Sequence, residues 1–540
     1  MPAKEDLTQV ERDKIDIGCD FDFREVAKRP LESISPNEIA MYKWSGVYPQ
    51  LQPGFFMIRV VTPGGRMTQE QFQRAVDLAE TFGQGELCIT TRQTLQFHWI
   101  RQGDIHKVLE GMAEVGITTK NACGDVARNV VGSSIGNDSP HMIGDAERII
   151  KLIAEDDEIQ NSRNLPRKHK ISVACTNEAG AQTLMNCQGW VPVQRDGVTG
   201  WKYHAGGGLG ARPHLAKVIF DWVPEDLVIE VTRATVEAFR RYGNRRKRAF
   251  GRLKVVVDEM GAAAFGDLLL EIMQEKGISG LEAIEQAQSP VPDIGRPILN
   301  GQPVVPQRQA GRVTVRVIIP RSELRTTASR AILNIAKDNG SGDIVFTNRQ
   351  NLELHDVPED KASAVVDGLH AAELRTEGLE HLPDIVACVG TTMCRLAVSD
   401  TPDAYHRLHD AFSDDEAYWR NIGPLRVNLT GCPNNCAQAW IADIGLRGRR
   451  IRDDEHGGSE ESFTVFVGGK LHGTGRIAEE LFDVRTEELV PAIRRILDTY
   501  LDQRQNNEFF SDFIDRVGVP AFKDMIPAQP QPSPAPGEES

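Results

Sequence analysis

Thr90-Thr91-Arg92-Gln93-Thr94-Leu95-Gln96-Phe97-His98 returns, 257 positions further on, as Thr347-Asn348-Arg349-Gln350-Asn351-Leu352-Glu353-Leu354-His355. The same offset carries Arg59 onto Arg316, Pro63 onto Pro320, Ala79 onto Ala336 and Gly83 onto Gly340. Chance does not place so many polar and turn-forming residues at one fixed spacing, so the chain is an internal duplication. In each copy the order is the same. An apolar segment (Phe55 to Val61; Val313 to Pro320) precedes a helical period (Thr68 to Phe82, with Thr68 as N-cap; Thr326 to Asp338). A second apolar segment (Leu87 to Trp99; Ile344 to His355) follows, which predicts strand, helix, strand.

Downstream the repeat continues at an offset of 262. Gly206, Gly207 and Leu209 match Gly468, Gly469 and Leu471, and Phe220, Asp221, Glu225 and Leu227 match Phe482, Asp483, Glu487 and Leu489. Each of these stretches leads into an amphipathic helix. The expected class is α+β, with two small units (46–120 and 301–375), each followed by a larger α/β lobe (121–300 and 376–526). Residues 1–45 read as a polar, irregular arm packing over a neighbour, and the Pro-, Ser- and Glu-rich stretch 527–540 as a disordered tail. Two halves in pseudo-twofold relation leave a groove between them, a natural place for a large cofactor.

Composition excludes several functions. The chain has 540 residues, of which 40% are hydrophobic and 26% charged, enough apolar material for several cores. A formal charge of −15 argues against a general nucleic-acid binder. No apolar run approaches the roughly 18–20 residues of a membrane span. Met1 to Lys14 is charged without an apolar core, so no signal peptide is expected. Nine cysteines fit a reducing cytoplasm in which thiolates stay available to metal.

Four of those cysteines fall in two clusters, Cys388/Cys394 (C-x5-C) and Cys432/Cys436 within Thr430-Gly431-Cys432-Pro433-Asn434-Asn435-Cys436. Four thiolates on two short, glycine-punctuated loops suit a cubane iron–sulfur cluster. Structural zinc uses four cysteines too, with typical within-pair gaps of about two to four residues. Zinc and uncommitted buried thiols stay open alternatives. At the first offset Cys432 meets Cys175 but Cys436 meets Ala179, so only the second half can ligate a cluster through this loop. Cys19, Cys88, Cys123, Cys175 and Cys187 read as small buried residues.

The first half instead concentrates cations. Arg59, Arg92, Arg128, Arg167, Lys168 and Lys170 lie on strands or at strand ends, with Lys168 and Lys170 two apart and so on one face. A further run, Arg240 to Arg248, follows the lobe helix, with Gly243 as its stop. A solvated, ion-paired surface is the bland reading of any one of them. A nucleic-acid reading lacks an aromatic stacking platform. Together they suit a polyanion in a groove, either a cofactor with many carboxylates or a small oxyanion.

The cysteine pattern, the two T-x-R-Q strands and Leu165-Pro166-Arg167-Lys168-His169-Lys170 resemble the sirohaem-dependent sulfite and nitrite reductases, over roughly residues 45 to 525. The resemblance implies two ferredoxin-like half-domains and two α/β lobes that bind sirohaem and a [4Fe–4S] cluster. It implies Cys388, Cys394, Cys432 and Cys436 as cluster ligands, with Cys436 shared as the axial sirohaem ligand. It implies Arg59, Arg128, Lys168 and Lys170 as anion ligands, and Arg92, Gln96, His98, Asn244, Arg245, Arg248 and Asn434 as sirohaem contacts. Sirohaem has eight carboxylates, which accounts for much of the arginine. Nitrite reductases of the family tend to carry asparagine where Lys170 stands, so the resemblance favours sulfite, with nitrite as the alternative. The chain has no recognisable flavin or nicotinamide motif; Gly206 to Gly210 opens no βαβ nucleotide unit. A separate donor protein is therefore implied, ferredoxin ahead of a flavoprotein subunit, with the chain itself a monomer. A non-catalytic metal-binding redox protein is the remote alternative.

Overall fold

A computed structural model describes residues 4–297, 301–453 and 458–526; the tail expected at 527–540 lies outside them. The helix expected behind Thr68 spans Gln69–Phe82. Thr68 accepts from the Gln71 amide while the Gln71 side chain accepts from the Thr68 amide, a reciprocal cap that satisfies two otherwise orphaned donors. Phe72, Ala75, Val76 and Ala79 on its inner face are fully buried.

The segment Leu87 to Trp99 is not one strand. It divides into Glu86–Ile89 and Leu95–Arg101, because the T-x-R-Q frame is a tight turn. The Thr90 amide donates to the Thr94 carbonyl at 2.8 Å, and Gln93 adopts φ 54°. The second copy turns in the same way, with Thr347 donating to Asn351 at 2.9 Å and Gln350 at φ 64°. A non-glycine residue in the left-handed region carries strain, and here side-chain bonds offset it. Gln93 accepts from the Gly132 amide at 2.8 Å, and Gln350 from the Ala387 amide at 3.1 Å, each pinning a hairpin tip to its lobe.

The two small units exchange strands. The first sheet comprises Val47–Pro49, Phe55–Arg59, Leu95–Arg101 and Glu86–Ile89, and its outer strand, Glu323–Arg325, comes from the second half. The second sheet receives Arg66–Met67 from the first half in return. One hydrophobic core accordingly runs through both units, with Phe72 of one 5.9 Å from Phe346 of the other, centroid to centroid.

Each lobe has its own mixed sheet and core. In the second lobe Val386–Ala387, Val427–Thr430 and Ile444–Asp453 run parallel. In the first, Val131–Gly132, Ile171–Val173 and Gln188–Arg195 do so. The lobe helices are Val228–Tyr242, ending at Gly243 as expected, and Leu489–Gln503. The N-terminal arm is helical rather than irregular. Gln9–Asp16, Phe23–Val26 and Pro36–Met41 are helices, the last two capped by Asp22 and Ser35. Phe23, Val26, Met41, Tyr42 and Trp44 anchor the arm by burial, an apolar set too sparse to show a clear period.

Candidate active site

The cysteine loops leave the carboxyl ends of neighbouring parallel strands. Cys388 follows Val386–Ala387, and Gly431 to Cys436 follows Val427–Thr430. Ligand loops gather at such strand ends in open α/β sheets. Cys388 Sγ accepts from the Gly431 amide at 3.2 Å. Cys394 is bonded by the Leu396 and Ala397 amides and Cys432 by that of Asn434. Burial pushes the Cys432 thiol up to about 11, and the neighbouring sulfurs of Cys436, Cys388 and Cys394 add to that. Thiols gathered in this way ionise only against a cationic partner, which iron supplies. Among the described residues no three His, Cys, Asp or Glu side chains close tightly enough around a point for a single metal ion. Four thiols on two strand-end loops are the donor set that a [4Fe–4S] cluster takes. Cys436 is exposed, and its carbonyl accepts from Thr91 at 2.9 Å, which brings this loop to the hairpin tip carrying Arg92.

Across from the cysteines lie the cations. Arg59 and Gln96 are directly opposed in the antiparallel register Phe55–Arg59 to Leu95–Arg101 and share a sheet face. His98 is 3% exposed, and neither ring nitrogen has a partner. Burial, with Arg59 beside it, lowers its pKa to about 4, so the ring is neutral. Arg92 donates to Asn186 at 2.8 Å and to the Asn129 carbonyl at 2.5 Å, leaving Nε buried and unpaired. Arg128 is held by the carbonyls of Gly124 and Ala122, the latter at 3.1 Å.

Lys168 and Lys170 flank the fully buried His169 and keep part of their own surface open, the alternation expected of them. Burial lowers Lys168 to about 7, and Arg252 and Arg167 nearby add to that, whereas Cys436 opposes it. Lys170 is lowered further by burial, Arg92, Lys168 and Arg252. Among the described residues neither lysine nor Arg59 makes a side-chain hydrogen bond or ion pair. Buried charge without a counter-ion is costly, and a bound polyanion removes that cost.

Two expected sirohaem contacts, Arg245 and Asn244, are engaged with other partners. Arg245 is buried and pairs with Glu11 at 2.6 Å, so it is committed to the N-terminal arm. The Asn244 side chain accepts from the Arg246 and Lys247 amides and shapes a turn. Asn434 is exposed, whereas its neighbour Asn435, with φ 55°, is buried with its amide unpaired. Arg248 donates to the fully buried Asp125 at 2.9 and 3.1 Å. Arg252 is a member of the set that the spacing did not reveal. It is buried with Nε unpaired and donates to Cys187 Sγ at 3.4 Å. Of the five remaining cysteines, four are buried as expected and Cys19 is only half-buried.

The duplication supplies an internal comparison. At the mirror position Ser133, Cys175, Glu178, Arg316, Arg349 and Glu353 line a cavity of about 200 Å³. Here every duplicated cation is neutralised. Arg316, the counterpart of Arg59, pairs with Glu353 at 3.2 Å and Glu380 at 3.1 Å. Arg349, the counterpart of Arg92, pairs with Asp384 at 2.7 Å. Glu353 occupies the register position of Gln96, and Glu380 and Asp384 those of Cys123 and Ala127. One cleft keeps bare cations and the other has been made neutral. The orphaned guanidinium and imidazole nitrogens therefore fit a polycarboxylate cofactor and an oxyanion in the first cleft only.

The model of the nitrite and sulphite reductase 4Fe-4S domain matches residues 123–276 and 380–531, and that of the nitrite/sulfite reductase ferredoxin-like half domain matches 48–115 and 305–372. A sulfite reductase [ferredoxin] of Mycolicibacterium paratuberculosis is 30% identical, with 91% of each chain covered. An assimilatory ferredoxin-dependent nitrite reductase of Haloferax mediterranei is 29% identical, covering 92% of this chain and 89% of its own. The solved structure of the Mycobacterium tuberculosis NirA protein superposes with a TM-score of 0.83 at 26% identity, over 96% of this chain and 98% of that one.

Proposed function

Because the chain belongs to the nitrite and sulphite reductase family, we propose that it reduces sulfite to sulfide, with ferredoxin as its electron donor. Membership brings a sirohaem and a [4Fe–4S] cluster as cofactors. The observation that carries the substrate class is the contrast between the two clefts: unpaired Arg59, Lys168 and Lys170 in one, and paired Arg316 and Arg349 in the other.

Reduction of the sulfite dianion to hydrosulfide takes six electrons and seven protons and releases three waters. When bound, the sirohaem iron and the cluster supply the electrons to the anion. The remaining work falls to the chain. Cys436 joins the cluster loop to the cleft, and the Thr91 hydroxyl fixes that loop through its carbonyl. Arg59 and Arg128 neutralise oxygens of the bound anion, Arg128 from a rigid cradle of carbonyls. A lysine whose pKa lies near 7 is matched to proton donation at neutral pH, and Lys168 is such a lysine. Lys170, crowded by Arg92, Lys168 and Arg252, gains more from a dianion than from a monoanion, which supports sulfite over nitrite.

The second reading, nitrite to ammonia, is supported by the Haloferax mediterranei relative. Comparison of kcat/KM for sulfite and nitrite with reduced ferredoxin separates the two. A larger value for sulfite is expected, and a larger one for nitrite overturns the assignment. No turnover with reduced ferredoxin, but turnover with a reduced flavoprotein, overturns the donor.

A further inference from the structure

The N-terminal arm and Arg245, which it holds, together grip three consecutive carbonyls just ahead of the lysine pair. Trp44 Nε1 donates to the Arg163 carbonyl at 3.2 Å. Arg245, held by Glu11, donates to the Asn164 carbonyl at 2.6 Å and to the Asn164 side chain at 3.1 Å. Lys14 donates to the Leu165 carbonyl at 3.0 Å and pairs with Glu11 at 2.5 Å. The side chains of Glu11, Arg245 and Lys14 are each about 5–6% exposed, so this triad is a buried network rather than a surface decoration. The arm is fastened to the same place by its backbone, with the Thr8 amide donating to the Arg245 carbonyl at 3.2 Å. From the inner side, the Leu165 amide donates to the Asp125 carbonyl at 3.2 Å, and Asp125 holds Arg248 and, at 3.5 Å, Arg167.

Residues 163 to 165 form no helix or strand. Among the described residues the Arg163 and Leu165 carbonyls have no donor but Trp44 and Lys14, and Lys168 lies between this segment and His169, whose amide donates to the Val126 carbonyl at 2.8 Å. Pro166 transmits the constraint, since its ring fixes φ. We propose that Trp44, Glu11 and Lys14 are positioning residues for the oxyanion, holding the Arg163–Leu165 backbone so that Lys168 and Lys170 stand at fixed points in the cleft. The proposal rests on the reading of those two lysines as anion ligands. Partial loss of a charge-assisted hydrogen bond to the bound anion weakens its binding by about tenfold, large enough to measure as a rise in KM.

The test uses the full-length holoenzyme with reduced methyl viologen as donor, so that carrier docking does not enter. Glu11→Gln removes the charge shared by Lys14 and Arg245 at almost constant shape. The expected result is a rise of about tenfold in KM for sulfite, with kcat changed less than threefold and an unaltered sirohaem spectrum. Glu11→Asp should recover part of the loss. A purely electrostatic role has the opposite sign, because deleting a carboxylate beside an anion site lowers KM. If Glu11→Gln does not fold, Trp44→Phe removes one donor while keeping the packed ring and should raise KM in the same way. Lys168→Met is the control: an unchanged KM there refutes the lysine reading itself. A raised KM in Lys168→Met beside an unchanged KM in Glu11→Gln or Trp44→Phe, with only thermal stability reduced, overturns the clamp and leaves the arm a structural brace.

Discussion

The mirror cleft contains the substitution that should silence the working one. In the second half Glu353 faces Arg316 across the same strand pairing in which Gln96 faces Arg59. Gln96→Glu therefore installs a carboxylate where one already sits in the other copy, 3.2 Å from the arginine. At an effective dielectric near 20, opposite charges about 4 Å apart attract by about 4 kcal/mol. Desolvation of the new carboxylate takes back part of this. The loss of one preorganised donor to a developing oxyanion costs about 10²–10³ in rate, close to 3–4 kcal/mol. We expect kcat/KM for sulfite to fall by about 10²-fold, measured by methyl viologen oxidation, with the visible spectrum confirming that the sirohaem is still bound. A value within threefold of the parent would refute the argument that unpaired cations make the first cleft the site. The reciprocal change, Glu353→Gln, should leave kcat/KM unaltered and lower Tm, because Arg316 loses a buried partner.

Cys436→Ser should abolish both the cluster signal and the normal sirohaem spectrum, and retention of both would contradict the shared-ligand reading. Lys170→Asn should weaken sulfite turnover more than nitrite turnover; equal loss of the two removes Lys170 as the discriminating residue. Stability should carry a pH signature from His355. Burial disfavours its charged form, but bonds to Asp138 at 2.7 Å and Glu353 at 3.3 Å outweigh this and raise its pKa. A raised histidine stabilises fully below its unfolded value near 6.5, and the gain is lost as pH climbs through the folded value. Tm should therefore decline from pH 6 to pH 9, and His355→Gln should flatten that slope; an equal slope in both proteins sinks the assignment. At the acid end Asp138, whose pKa is lowered to about 2 by bonds to His355 and Arg66 against burial, contributes stability that is lost as pH falls from about 4 through 2.

The sequence carried the duplication and the sheet-and-helix order because fixed offsets and periodicity are local. The Thr68 cap and the stop at Gly243 are likewise written in a few neighbouring residues. Gln93 and Gln350 hid a turn inside an apolar run, since a left-handed glutamine has no compositional mark and is held by bonds to a distant lobe. Arg245 looked like its neighbours in the Arg240–Arg248 run, and only the fold shows that Glu11 claims it across more than two hundred residues. Arg252 lies just beyond that run, and only the fold shows that it turns inward to Cys187. The Gln96 and Glu353 difference is written in the duplicated sequence itself. What it lacked was the register that sets each of them against an arginine.

The exchange of outer strands between the two small units has a consequence for how substrate is admitted. Glu323–Arg325 completes the first sheet and Arg66–Met67 the second, so the halves cannot separate without breaking both sheets and the core they share. A hinge that opens and shuts around a guest is denied to such a molecule. The two hairpin tips that carry Arg92 and Arg349 are thereby set at a fixed separation by the shared framework beneath them. Any change of shape around a guest is left to the lobes and their loops, which hang on that framework from opposite sides.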